Sequence, residues 1–206
     1  MTMQQPTMRY MAADDIPALV ELIKEIRLGF MSMMPRVFIA QYYRNMLHLD
    51  NWHCRLLIVD GRIGGFHVLV IGRSANRFQP LYETPIRFIA IACFFVYPAL
   101  TILKFFLKER EIANEHKKLR AMYDSELVYL GLGGAYQGKG NGHRLMCDMR
   151  HVLENEEVAF LGTEFYKDDR QAARFYEKYS YEKLGELNTG GRMSISLRWP
   201  VDELPS

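Results

Sequence analysis

The sequence predicts one mixed α/β domain. Apolar residues recur at helical spacing in some stretches and at strand spacing in others, and the two kinds interleave as β-α-α-β-β, an insert, then β-α-β-α-β-β. Hydrophobic residues make up 49% of the 206, enough for a sizeable core. An order that mixes hairpins with crossovers implies a sheet with both antiparallel and parallel pairs.

The first strand is read from weak alternation over residues 7–12. Asp14 or Asp15 then offers an N-cap, and Pro17 fits a first helical turn. Ile16, Leu19, Val20, Ile23 and Ile26 repeat at helical spacing to about Gly29. A second helix is expected from Pro35, with Phe38, Tyr42, Met46 and Leu49 on one face. Residues 54–59 and 63–71 read as a hairpin about Asp60-Gly61, and Gly64 and Gly65 weaken its second strand or mark a bulge.

Residues 74–124 read as mostly helical, apolar at first and highly charged from 108 to 120. Residues 126–132 return to strand and are apolar on both faces, which predicts a central position. After a glycine-rich turn, Leu145, Met146, Met149, Val152 and Leu153 mark an amphipathic helix. Residues 158–163 form another buried strand, and Asp169 caps a helix carrying Ala172, Phe175 and Tyr176. Residues 180–187 and 192–199 close the chain as two strands around the turn 188–191.

Composition narrows the function classes. A net charge of +2 with no long basic run gives no general pull towards nucleic acid. Cys54, Cys93 and Cys147 are odd in number and far apart, which points to a reduced, cytoplasmic compartment. With the histidines scattered as well, no metal site is expected. Residues 1–10 lack the basic and apolar regions of a secretory signal.

The chemistry lies in the turn. A central strand, Gly138, Gly140 and Gly142 at alternate positions, then a helix, is an arrangement for binding an anion. Glycines let the backbone approach closely and turn N–H groups inward, and the positive helix end adds to them. A diphosphate is the ligand such a cradle suits. A Walker A loop is absent, and the glycine spacing and late position fail the dinucleotide fingerprint. The spacing that fits is Gln/Arg-x-x-Gly-x-Gly/Ala, met by Gln137, Gly140 and Gly142.

Residues 126–146, Glu-Leu-Val-Tyr-Leu-Gly-Leu-Gly-Gly-Ala-Tyr-Gln-Gly-Lys-Gly-Asn-Gly-His-Arg-Leu-Met, resemble the acyl-CoA-binding motif of the GNAT superfamily of N-acetyltransferases. Residues 169–178 resemble that family's later helix motif, Asn-x-x-Ala-x-x-Phe/Leu-Tyr-Glu-Lys. The resemblance covers the chain except for residues 74–124. It departs from the pattern at 133–135, Gly-Gly-Ala, where a polar residue and a proline are usual, and at Asp169, where Asn is common.

The resemblance implies a GNAT-like acyl-CoA acyltransferase fold and a co-substrate, acetyl-CoA or another acyl-CoA. The pantetheine arm would bind the backbone of Leu130 and Leu132, with Asp169 near it. The pyrophosphate would lie on Gln137, Gly138, Lys139, Gly140, Asn141 and Gly142. Direct transfer to an amine needs a base and an acid, and the family's pattern places these at Glu126 and Tyr176. No covalent enzyme intermediate is implied. Cys147 is expected to face the core, and His143 to lie on the helix surface. The acceptor is expected to be a small-molecule or peptide amine. The alternatives are transfer of a longer acyl chain, or from acyl carrier protein, to a lipophilic acceptor, and a non-catalytic acyl-CoA-binding module.

Residues 88–103 carry no charge, and 86–107 only Arg87 and Lys104. Sixteen uncharged residues fall short of the about 20 needed to span a bilayer. A single crossing would also place strands of one sheet on opposite sides of the membrane. Three readings stay open for 86–107: burial against the domain or a second subunit, contact with the inner membrane surface through Lys104, Lys108 and Arg110, or an apolar wall over the acceptor site.

Overall fold

The computed structural model describes residues 5–72, 79–82, 118–119, 121–189 and 192–205. Seven strands, β1 (Thr7–Tyr10), β2 (Trp52–Val59), β3 (Arg62–Ile71), β4 (Ser125–Leu132), β5 (Phe160–Tyr166), β6 (Glu182–Thr189) and β7 (Arg192–Pro200), form one sheet. Their order is β1-β2-β3-β4-β5-β7-β6, antiparallel throughout except for the parallel pair β4–β5. The mixed sheet and the central place of β4 are as the sequence predicts.

Alternate residues of β3 divide the core in two. Phe66, Val68 and Val70 pack under α1 (Ile16–Glu25), α2 (Gly29–Met33) and α3 (Arg36–Met46), with Leu19, Ile23, Ile39, Tyr42 and Tyr43 fully buried above them. Leu69 faces the other way, towards α5 (Asn141–Asn155) and α6 (Arg170–Tyr176). There Leu145, Met146, Met149, Val152 and Leu153 are all buried, the stripe that the spacing marks out.

Three local readings need correcting. The first helix stops at Glu25 and not near Gly29, because Arg27 and Gly29 take positive φ (52° and 47°) and restart the chain as α2. Lys24 secures this turn by donating from Nζ to the carbonyls of Ser32 (2.7 Å) and Met34. Asp15 does not cap α1 through its side chain. Its carboxylate instead accepts from the Ala12 N–H (2.8 Å) and from Arg9, tying β1 to the helix entry. The fifth strand begins at Phe160 and runs to Tyr166, later and longer than the apolar run suggests. The β3 bulge is real: Leu57 pairs with Gly65 and Ile58 with Ile63, leaving Gly64 over.

Within the 74–124 segment the described residues include a short helix, α4 (Gln79–Tyr82), and Lys118–Leu119 as helix. The apolar stretch 88–103 lies outside the described residues. Among the described residues, no helix is long and apolar enough to cross a membrane. The carbonyl of Pro80 accepts from buried Asn45 of α3 (2.8 Å). At the other end, the Tyr123 ring covers Gly162 and Leu119 lies 3.8 Å from where a Gly185 Cβ would stand. Register places Gly162 and Gly185 on the α1–α3 face of the sheet, so both ends of the segment sit on that face.

Candidate active site

The site is a fork between β4 and β5. The two strands pair only at Ser125↔Leu161, Glu126↔Gly162 and Leu127↔Thr163, while β4 continues to Leu132 and β5 to Tyr166. The cause is visible in β4. Val68 pairs with Tyr129 and Leu69 with Leu127, so Val128 is an extra residue just past the last shared rung. A bulge bends its strand. Beyond it, Leu130 and Leu132 remain paired to β3, and their other edge lines the fork.

The open end of the fork runs into the glycine turn. A 3-10 turn (Gly134–Tyr136) leads to Gly138 and Gly140, at φ of 72° and 77°, and α5 starts at Asn141. Such φ values favour glycine over any residue with a Cβ. Gly142 answers a different need: a Cβ there would stand 2.8 Å from the Phe175 ring, so only glycine lets α5 approach α6 this closely. Among the described residues, no backbone carbonyl takes the N–H groups of Gly138 to His143. Two left-handed glycines and the start of a 15-residue helix thus present a run of donors to solvent, the geometry that a diphosphate fits.

The polar side chains of the turn are spent on holding its shape. Gln137 donates from Nε2 to the Leu132 carbonyl (3.0 Å), and its Oε1 accepts from Gln171 of α6 (3.0 Å). Buried Asn141 donates to the Tyr136 carbonyl (3.0 Å). Lys139 is exposed beside the cradle. Asp169 caps α6, its Oδ1 accepting from the N–H groups of Gln171 (3.1 Å) and Ala172 (2.9 Å). His143 is exposed and stacks on Tyr179, with centroids 6.3 Å apart. Cys147 is half-buried, which corrects the expectation of a core thiol: it lies on the flank of the apolar stripe of α5.

Glu126 lies at the closed end of the fork, and Tyr176 lies against β5 at Phe165 on the opposite face. Glu126 is only 4% exposed and shares a rung with Val70 and Gly162, on the α1–α3 face. Tyr176 is 6% exposed on the α5–α6 face, in contact with the rings of Phe165, Phe175 and Trp199. Burial pushes its phenol up to about 12, against a hydrogen bond with Thr163 that pulls it down. Thr163, on the last shared rung, donates to the Leu127 carbonyl (3.0 Å).

One charged cluster escapes the sequence reading. Asp148 of α5 accepts from Arg55 Nη2 (2.6 Å) and Nε (3.0 Å), and lies 2.8 Å from His67 Nε2. Burial raises the Asp148 carboxyl, but the hydrogen bonds from His67 and Arg55 prevail and hold it at about 2. Burial lowers His67, partly offset by Asp148. No local pattern marks it, since Arg55, His67 and Asp148 stand on three separate elements and α5 carries Arg144, Arg150 and Glu154 as well. Among the described residues, no group of three His, Cys, Asp or Glu is placed to hold a metal ion.

The forked mixed sheet, with the glycine cradle opening α5, is the fold of the GNAT acetyltransferases. The chain is similar to an acetyltransferase of the GNAT family from Streptococcus pneumoniae at a TM-score of 0.60 and 11% identity, over 98% of this chain and 100% of that one. The ribosomal-protein-S18-alanine N-acetyltransferase from Escherichia coli matches at 0.59 and 13%, over 96% and 94%. The aminoglycoside acetyltransferase AAC(6')-Ib, solved with coenzyme A, matches at 0.61 and 15%, over 95% of each chain. No protein-family model and no curated protein sequence matches the chain.

Proposed function

We propose that the chain is an acyl-CoA-dependent N-acyltransferase that moves an acetyl group to a primary amine. The observation that carries this is the fork itself: past Leu127 the edge of β4 at Leu130 and Leu132 is left without a strand partner and runs to the glycine turn. A diphosphate at the cradle and an extended amide-bearing arm along that edge describe coenzyme A. AAC(6')-Ib, of the same fold, is solved with coenzyme A and, in one complex, with kanamycin as well.

In this reading Gly138, Lys139, Gly140, Asn141 and Gly142 hold the pyrophosphate through backbone N–H groups, and Lys139 adds a charge. Gln137 serves by shaping the turn, since its side chain is engaged with Leu132 and Gln171 and its N–H with the Gly134 carbonyl (3.3 Å). Asp169 serves by fixing the start of α6, which carries Tyr176. Glu126 takes the proton that the amine gives up as its nitrogen bonds to the thioester carbonyl carbon. When the carbon–sulfur bond breaks, its electron pair goes to sulfur, and Tyr176 supplies the proton that makes the thiol. The proton held by Glu126 returns through solvent to the phenolate, so the enzyme is restored.

The test is thiol release from acetyl-CoA with a panel of primary amines. Glu126→Gln and Tyr176→Phe should each lower kcat/KM by about 10²- to 10⁴-fold, the range of a positioned base or acid. Coenzyme A binding should stay within about threefold of wild type, a shift well under 1 kcal/mol. If neither substitution slows thiol release with an amine that wild type uses, the catalytic assignment is wrong.

A further inference from the structure

We propose that Gln171 is a positioning residue for coenzyme A: through Gln137 it straps α6 to the end of β4, and so fixes the glycine turn relative to the open strand edge. This rests on the reading of the turn and the fork as the donor site. The strap is a chain of hydrogen bonds. Gln171 Nε2 donates to Gln137 Oε1 (3.0 Å), and Gln137 Nε2 donates to the Leu132 carbonyl (3.0 Å). Leu132 is the last residue of β4. The next N–H, that of Gly133, donates to the Gly64 carbonyl of β3 (2.9 Å). In a trans peptide the Leu132 carbonyl then points the opposite way, away from β3 and onto the fork side. The strap therefore ends on the same edge that the donor's extended arm would follow.

Each link dictates the next. A carbonyl only accepts, so Leu132 fixes the Gln137 amide with its nitrogen towards β4 and leaves its oxygen to be satisfied. That oxygen needs a donor, and Gln171 supplies one. The root of Gln171 is held as well, because the Asp169 carboxylate accepts from its backbone N–H (3.1 Å). One helical turn on, the Phe175 ring lies 2.8 Å from where a Gly142 Cβ would stand, which sets the approach of α6 to the start of α5. The strap is a second tie, at the other end of the turn. Both glutamines are exposed, so each bond contributes little by itself, and its value lies in preorganisation. A ligand that touches only the turn does not need the turn and the β4 edge in fixed relation. A ligand that spans both does, and it loses affinity when they move independently.

The experiment is a double-mutant cycle of Gln171→Met with Gln137→Met, read by titration calorimetry with coenzyme A and with ADP, which carries the diphosphate without the arm. Methionine keeps the length and removes the amide. Gln171→Met should weaken coenzyme A about threefold to tenfold, the range of one neutral hydrogen bond, and leave ADP within about twofold of wild type. In the Gln137→Met background, Gln171→Met should have almost no further effect. Unchanged coenzyme A affinity in Gln171→Met would overturn the proposal. An equal loss for ADP would also overturn it, by making Gln171 part of the cradle's own shape. A full-sized further loss in the Gln137→Met background would do the same, since Gln171 would then act without Gln137. Failure of wild type to bind coenzyme A would instead remove the donor-site reading, and this proposal with it.

Discussion

Asp148 offers the sharpest test of what holds helix α5, which starts at the glycine turn, to the sheet. Its carboxylate is 7% exposed, Arg55 is 14% exposed, and His67 is fully buried. Three hydrogen bonds reach Asp148, two from Arg55 and one with His67. An asparagine has one acceptor oxygen, and its amide N–H₂ would face a donor from Arg55 or His67. Asp148→Asn therefore leaves the Arg55 charge partly buried and unpaired, which costs about 3–5 kcal/mol. For a chain of this size that corresponds to roughly 6–20 °C in Tm. Denaturant unfolding followed by circular dichroism gives the number. Replacing the pair together, Arg55→Met with Asp148→Leu, should recover most of the loss, because apolar residues of similar volume avoid the desolvation cost. A loss under about 1 kcal/mol in Asp148→Asn would refute the reasoning, since that is the range of an exposed pair.

Acid sensitivity follows from the same cluster. His67 is lowered in the folded state, so the unfolded chain binds its proton first, and stability falls as pH drops below about 6.5. Asp148, at about 2 when folded, adds a second loss between about pH 4 and 2 that Asp148→Asn should abolish in a pH series of unfolding curves. Gly140→Ala should cost about 1–2 kcal/mol from its left-handed φ and weaken coenzyme A binding, measured by titration calorimetry. Gly162→Ala puts a Cβ 2.3 Å from the Tyr123 ring on the Glu126 rung, and should destabilise by about 1–3 kcal/mol in the same unfolding assay.

Elements with a periodic signature were legible in the sequence. The stripe of α5, the Asp60-Gly61 hairpin and the Gly64 bulge all express a geometry that few residue types satisfy. The cradle was legible for the same reason, since Gly138 and Gly140 need positive φ and Gly142 needs room for Phe175. Contacts between distant residues left no such mark. The break after α1 depends on Lys24 reaching the carbonyls of Ser32 and Met34, and the anchoring of α5 depends on Arg55 and Asp148, 93 positions apart. The burial of Glu126 was hidden as well, because nothing local distinguishes a strand-end glutamate in solvent from one buried between Val70 and Gly162.

The arrangement of the two faces separates the two halves of the proposed reaction. Tyr176 and Thr163 lie on the α5–α6 face, with the helix that forms the cradle. Glu126 lies on the opposite face, where α4 docks on α3 and where Tyr123 and Leu119 cover Gly162 and Gly185. The glycine turn proposed for donor binding is built from backbone conformation, which a short motif encodes. That face is built from helices α1–α3 and from both ends of the 74–124 segment, elements with no common motif. One fold can therefore keep its glycine turn while the other face changes, so in the proposed reaction the turn would select the acyl donor without constraining the amine.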